Sequence, residues 1–133
     1  VLVAAMAVRA WLMAHNGTLY YLRLLPAESA DLVIVHQVLH YLADPAAALA
    51  EAARLVAAGG RLLIVDFAPH DFEHMREAHQ HRRLGFADSE IAGWLTEAGL
   101  KTSAPIALPP ESEGLTVTIW IAERERLAQR SVA

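Results

Sequence analysis

The sequence lacks cysteine altogether and contains a single lysine, Lys101. Without cysteine the chain can form no disulfide, no zinc–thiolate site and no cysteine nucleophile. The scarcity of lysine and the formal net charge of −4 argue against a nucleic-acid-binding module, because phosphate binding needs a basic face. A chain without disulfides is compatible with a reducing compartment, and we predict a cytoplasmic location.

Long hydrophobic runs are also missing. No uninterrupted apolar stretch reaches the roughly 18 residues that a transmembrane helix needs. The N-terminal stretch, residues 1–14, comes nearest, but Arg9 interrupts it and no basic leader precedes it. We therefore expect neither a membrane anchor nor a signal peptide. Because the sequence begins at Val1 rather than at methionine, we expect it to be part of a longer protein.

The remaining composition is that of one globular domain. The chain has 133 residues, of which 55% are hydrophobic and 20% are charged. This length and balance favour a single hydrophobic core over a disordered chain or a coiled coil.

Two apolar runs rich in β-branched residues predict strands, at residues 31–35 and 61–67. Both runs are continuous rather than alternating, which is typical of a strand buried on both faces. Between them, Asp44 and Pro45 form the N-cap and first-turn signal of a helix over residues 46–58, which a glycine pair ends. The order strand, helix, strand predicts two parallel strands joined by a right-handed crossover.

Weaker signals on either side complete an α/β architecture with helices covering the sheet. The sequence predicts a helix over residues 4–15, a strand over 18–25, a helix that begins at Asp88, an edge strand over 101–108 and a last strand over 115–122.

The residues around the crossover resemble a known family. Residues 30–45 (ADLVIVHQVLHYLADP) and 51–67 (EAARLVAAGGRLLIVDF) resemble the fourth strand, the following helix and the fifth strand of class I S-adenosylmethionine-dependent methyltransferases. The similarity is greatest to the ubiquinone- and menaquinone-biosynthesis group, whose bacterial relatives are often fused behind a winged-helix repressor domain of the arsenic-resistance kind. It implies a Rossmann-like, mostly parallel sheet with helices on both faces and an antiparallel C-terminal hairpin, without the early strands. By this resemblance, residues 1–30 are a remnant helix and strand, 31–124 the C-terminal half of a methyltransferase-like domain, and 125–133 a charged tail.

One part of the family pattern has no counterpart. The family holds its cofactor with a glycine-rich loop at a helix N-terminus, and no such loop occurs in this sequence. Only 30 residues precede Asp31, too few for the strands and helices that normally come first. We interpret the chain as a truncated or degenerate copy, and from the sequence we expect it not to bind S-adenosylhomocysteine in a calorimetric titration.

The resemblance implies functional residues at the carboxyl ends of the two predicted strands, where ligands bind in open α/β sheets. It implies S-adenosylmethionine as the cofactor and a small molecule as the methyl acceptor, with histidine suited to removing a proton from that acceptor. The cofactor-binding residues would be His36, Gln37 and Val38, and the catalytic residues beside the acceptor would be His40, Asp66 and His70.

Three of these residues also have a purely structural interpretation. His36 is equally well a hydrogen-bonded strand-end residue, and Asp66 is equally well a cap for the segment that follows it. A histidine in the position of His40 is more often a packed loop residue than a base. We predict no metal site. The polar residues between positions 70 and 81 include four histidines, but their spacing matches no known zinc motif.

Two rival functions remain open from the sequence. The first is a non-catalytic α/β fragment that forms a homodimer, because the strand at residues 31–35 would lack its usual neighbour and an exposed apolar edge invites pairing. The second is a regulatory partner of a winged-helix transcription regulator, which only the fusions of relatives favour.

Overall fold

The computed structural model describes residues 23–128. The predicted helix over residues 4–15, most of the predicted strand over 18–25 and the end of the charged tail lie outside the described residues. Residues 23–25 are not in a strand. No helix within the described range is long and apolar enough to cross a membrane. The elements are strand β1 (Ala30–His36), a 3-10 turn (Leu39–Tyr41), helix α1 (Pro45–Leu55), strand β2 (Val56–Phe67), helices α2 (His74–Ala78) and α3 (Asp88–Glu97), and strands β3 (Lys101–Thr102), β4 (Ile106–Leu108) and β5 (Val117–Glu123).

The strands form one sheet in the order β1-β2-β5-β3, and β4 pairs with β5 beside β3. β1 and β2 are parallel and are joined through α1, which confirms the predicted crossover. β5 is antiparallel to β2, β3 and β4, which gives the predicted antiparallel C-terminal strands. Of the described strand pairs, only β1 with β2 is parallel, and the fold is the α/β class that the sequence predicts.

The first turn of α1 follows its sequence signal. Asp44 is the N-cap, its Oδ1 accepts a hydrogen bond from the backbone N–H of Ala47 at 3.0 Å, and Pro45 occupies the first helical position. The helix ends at Leu55, three residues before the predicted end at residue 58. The guanidinium of Arg124 donates to the backbone oxygens of Ala53 and Val56, both at 2.8 Å, and so satisfies the last carbonyls of the helix.

The core lies on one face of the sheet. Helices α1 and α3 pack together on this face, over buried side chains of β1, β2 and β5 such as Val33, Ile64 and Trp120. On the opposite face, apolar side chains such as Ile34 and Leu63 are only half-buried. The prediction that β1 and β2 are buried on both faces is therefore wrong for the described residues, because both longer helices lie on the same side of the sheet.

The edge strand predicted over residues 101–108 is split into two. Pro105 lies between β3 and β4 and has no N–H to donate to a strand ladder. Both short strands pair with β5 on its outer edge, so the proline interrupts the edge without disturbing the centre of the sheet.

Candidate active site

The carboxyl ends of β1 and β2 lie side by side, because the two strands are parallel neighbours. His36 is the last residue of β1 and is paired with Val65, one residue before Asp66. The backbone N–H of Gln37 donates to the carbonyl of Val65 at 2.7 Å and extends the pairing beyond the strand. The 3-10 turn that follows carries His40 to the end of β2. The fold thus brings residues from both predicted strand ends to one edge.

His40 and Asp66 form a buried hydrogen-bonded pair at this edge. Nδ1 of His40 lies 2.7 Å from Oδ1 of Asp66, and the two side chains are 2% and 0% exposed. Asp66 also accepts hydrogen bonds from the backbone N–H groups of Leu39 at 3.1 Å and Phe67 at 2.9 Å. A carboxylate only accepts, so Nδ1 of His40 carries the proton of this hydrogen bond. Asp66 therefore fixes the positions of both the turn and the imidazole. It has a structural role and also belongs to the candidate site.

The chain between Phe67 and Phe86 closes over this pair; we call residues 68–85 the closing segment. The N–H of Phe86 donates to the carbonyl of Phe67 at 2.9 Å, and the N–H of His70 donates to that of Leu84 at 3.1 Å. The backbone N–H groups of Arg82 and Arg83 both donate to the carbonyl of His40, at 2.8 and 3.1 Å. These bonds hold the second half of the closing segment against the turn that carries His40.

The closing segment brings two more histidines to the site. The ring of His81 lies 4.2 Å from that of His40 and is stacked on Phe67, with centroids 6.0 Å apart and an interplanar angle of 12°. The ring of His70 meets Phe67 edge-on at 6.3 Å, and the ring of His40 lies 5.1 Å from Phe67. We call His40, His70 and His81 the histidine cluster. His81 was not predicted as a site residue, because the concentration of histidines in this segment does not distinguish it from the exposed His74 and His79.

Burial keeps two of these histidines neutral. Desolvation lowers the pKa of His81 to about 4, and the nearby imidazoles of His40 and His70 lower it further while Asp66 opposes them. Desolvation is also the main cause that lowers the pKa of His70. Nδ1 of His81 and Nε2 of His70 are buried and have no hydrogen-bond partner among the described residues. At neutral pH the imidazoles of His70 and His81 are therefore uncharged.

The lowered pKa of His81 predicts acid-sensitive stability. Its pKa rises from about 4 in the folded protein to the ordinary value of 6.5 on unfolding, so protons bind preferentially to the unfolded chain below pH 6.5. The stability is complete above that pH and falls as the pH drops towards 4. At about pH 5 we expect a loss on the order of 2 kcal/mol in the free energy of unfolding relative to pH 7.5.

Urea unfolding at the two pH values measures this loss. His81→Phe should remove most of the pH dependence, while His74→Phe, a change at an exposed position of α2, should leave it intact. Equal pH dependence in His81→Phe and the wild type would show that His81 does not cause the loss of stability.

The residues predicted to bind the cofactor lie at the open side of the same edge. The side chains of His36 and Gln37 are exposed at the end of β1, and Val38 is buried beneath them. Gln37 has a φ of 49°, in the left-handed region that non-glycine residues rarely adopt. Such backbone conformations cluster at functional sites, where the surrounding structure maintains them.

The polar residues between positions 70 and 81 do not assemble into a metal site. Within residues 23–128, no group of three or more histidine, aspartate or glutamate side chains is arranged to hold a metal ion. His74 and His79, like the acidic residues around them, are exposed, whereas His81 is buried beside His40. The histidines and acidic residues of this stretch thus lie in two places. His70 and His81 belong to the histidine cluster, and the others lie at the surface.

Comparison with known proteins gives one family match by sequence. A family model described as a methyltransferase domain matches residues 4–64, a little less than half of the chain. No curated protein matched the sequence.

Several solved structures with a similar fold are described as methyltransferases. A structure described as a methyltransferase from Bacillus halodurans superposes with a TM-score of 0.63 at 15% identity, covering 76% of this chain and 67% of that one. A 1,6-didemethyltoxoflavin methyltransferase from Burkholderia thailandensis, with its substrate and S-adenosylhomocysteine bound, gives 0.62 at 20% identity, covering 78% of this chain and 48% of that one. The cyclase SpnF gives 0.63 at 12% identity, covering 92% of this chain and 63% of that one.

These comparisons identify the fold. The described residues have the Rossmann-like fold of S-adenosylmethionine-dependent methyltransferases, and the chain spans between about half and two thirds of the length of these three structures. The match of residues 4–64 to a methyltransferase domain agrees with this fold. Because a cyclase has the same fold, the fold alone does not determine the reaction.

Proposed function

We propose that the described residues form the acceptor side of an S-adenosylmethionine-dependent methyltransferase that acts on a small molecule. The observation that carries this proposal is the buried His40–Asp66 pair at the carboxyl ends of two parallel strands. This is where ligands bind in open α/β sheets, and the imidazole there has a fixed tautomer. The ubiquinone-like subgroup, an association with a winged-helix regulator and a cytoplasmic location stay predictions from the sequence.

The described residues fit one end of the cofactor. His36 and Gln37 project from the end of β1, where they would contact the sulfonium and the amino-acid part of S-adenosylmethionine. Within residues 23–128 no glycine lies between the end of a strand and the start of the next helix, and Gly85 lies between helices α2 and α3. A Cβ there would lie 2.1 Å from the backbone oxygen of Ala68, so Gly85 serves the closing segment rather than a phosphate- or ribose-binding loop.

When bound, S-adenosylmethionine supplies an electrophilic methyl group. Our proposal assigns the remaining tasks to the residues of this chain. Asp66 holds the proton on Nδ1 of His40, so that Nε2 can take a proton from an acceptor that loses one. The ring of His70 meets the ring of Phe67 edge-on, and in this proposal His70 contacts the acceptor. Methyl transfer depends mainly on the alignment of the two substrates and on the exclusion of water. Burial of these groups keeps water out of the site.

Methyl transfer from isotopically labelled S-adenosylmethionine tests this proposal. At millimolar cofactor we expect slow transfer to small-molecule acceptors, and we expect His40→Ala to lower the rate by about 100-fold, the usual contribution of a general base. His70→Ala should lower it less, and His74→Ala, at an exposed position of α2, should not change it. Full activity in both His40→Ala and His70→Ala would contradict these roles, and a wild-type chain without any transfer would contradict the enzymatic function.

One observation favours the alternative of a non-catalytic fragment that forms a homodimer. Among the described residues β1 pairs with β2 on one side only, and no described strand lies along its outer edge, where pairing with a second copy would occur. Ile34 on this strand adds apolar surface that is only half-buried. A symmetric dimer would extend the sheet across two copies, and a monomer in light scattering at high concentration would contradict it.

A further inference from the structure

Two polar atoms in the histidine cluster lack partners. Nε2 of His70 and Nδ1 of His81 are both buried without a hydrogen bond from any described residue. His81 as a whole is only 7% exposed. Buried polar groups in folded proteins are nearly always paired, so two unpaired nitrogens around one aromatic ring point to a ligand that pairs them.

We propose that the histidine cluster binds a neutral aromatic molecule that carries a hydroxyl group, and that His81 contacts this group directly. The inference rests on the proposed function, because it names the class of the methyl acceptor. It adds His81 to the residues that touch the acceptor.

The surroundings of the cluster favour a flat ligand. The ring of Phe67 lies at its centre, and the ring of Tyr41 lies 4.1 Å from that of His40 and 5.4 Å from that of His81. Aromatic rings of this kind bind other planar rings by stacking and edge contacts. Tyr41, Phe67 and His70 are only half-buried, so the cluster reaches solvent on this side.

The charges around the cluster favour a neutral ligand. Asp66 lies within it, and an anionic ligand would be repelled by that carboxylate. The low pKa values of His70 and His81 leave both rings uncharged at neutral pH, so they offer no compensating cation. Asp71 and Arg76 also act on His70, with opposite effects on its pKa. Nδ1 of His70 accepts a hydrogen bond from the backbone N–H of Phe72 at 3.3 Å, so Nε2 of a neutral His70 carries the proton and donates. A hydroxyl group can accept this bond and can also donate to a neutral imidazole such as that of His81.

Three matched probes test the chemical class: phenol, toluene and benzoate. All three have one aromatic ring, but only phenol is neutral and protic. The side-chain ¹⁵N resonances of the histidines, recorded by NMR at pH 7.5, report binding at individual imidazoles. We expect phenol to shift the signals of His70 and His81, with an affinity at least about tenfold higher than that of toluene or benzoate, the usual effect of one buried hydrogen bond. Equal shifts from all three probes, or no shift from phenol, would overturn the inference.

His81→Phe tests the contact itself, because phenylalanine keeps an aromatic ring and removes both nitrogens. We expect it to lower the affinity for phenol by about tenfold, while His74→Phe binds phenol like the wild type. Unchanged phenol binding by a folded His81→Phe variant would overturn the role of His81. If the variant does not fold, the comparison of the three probes on the wild type decides alone. Phenol binding is measured without cofactor, so its failure is distinct from a failure to bind S-adenosylhomocysteine or to transfer a methyl group.

Discussion

Replacing Asp66 by asparagine is expected to lower the free energy of unfolding by about 3 kcal/mol. The carboxylate of Asp66 is fully buried and accepts hydrogen bonds from Leu39, His40 and Phe67. Asparagine has the same shape, but it has one acceptor oxygen and directs an NH2 group at donors that need an acceptor. At least one buried donor therefore loses its partner. Denaturant unfolding followed by circular dichroism measures the change.

Asp71→Asn is the matched control, because Asp71 is exposed on the closing segment. It makes the same chemical change, and we expect an effect within about 0.5 kcal/mol. Similar stabilities of the two variants would show that the hydrogen bonds to Asp66 do not hold the turn that carries His40.

Alanine at position 85 is expected to destabilise the protein by about 3 kcal/mol or more. Gly85 has a φ of 83°, and a Cβ there would lie 2.1 Å from the backbone oxygen of Ala68 and 2.8 Å from Cα of Pro69. Both obstacles are backbone, and the N–H of Ala68 is itself bonded to the carbonyl of Thr116 at 2.9 Å. The closing segment has to move away from β2, which breaks the hydrogen bond between Phe86 and Phe67.

Gly93→Ala is the control for this substitution. Gly93 is an exposed residue inside α3, and a Cβ there would meet nothing within 4 Å. Alanine has the higher helix propensity, so we expect this variant to be more stable than the wild type by roughly 0.5–1 kcal/mol. Thermal or urea unfolding of the two variants would contradict the account if both changed stability in the same direction.

The sequence predicted the crossover because its signals are local. Asp44 and Pro45 mark the start of α1 through contacts within one helical turn, and the apolar runs on either side mark β1 and β2. The end of α1 was predicted wrongly because it depends on distant residues. Residues 56–58 have no local signal against a helix, but Val56 pairs with Ala30 and its carbonyl accepts from Arg124, which lies 68 positions away.

The candidate site likewise combines features that follow from local sequence with features that depend on distant contacts. Its place at the strand ends, and the choice of His40 and Asp66, could be predicted, since both follow apolar runs. Their hydrogen bond joins residues 26 positions apart and depends on how two parallel strands align. His81 could not be assigned because nothing in the sequence distinguishes it from His74 or His79. Only the backbone bonds between the closing segment and the carbonyl of His40 bring it into the site.

The most direct test of the central claim is an NMR titration of the chain with S-adenosylhomocysteine, followed through the backbone amide signals. The missing glycine-rich loop predicts no binding, whereas the residues that the structure brings to this edge would retain an affinity in the millimolar range. Our account predicts that ligand up to about 10 mM, which corresponds to a binding free energy near 3 kcal/mol, shifts the amides of residues 36–40 selectively. His36→Ala should reduce these shifts and His74→Ala should not. Signals at residues 36–40 that do not move, or that move no more than those of the distant surface, would contradict the claim that this edge is a methyltransferase site.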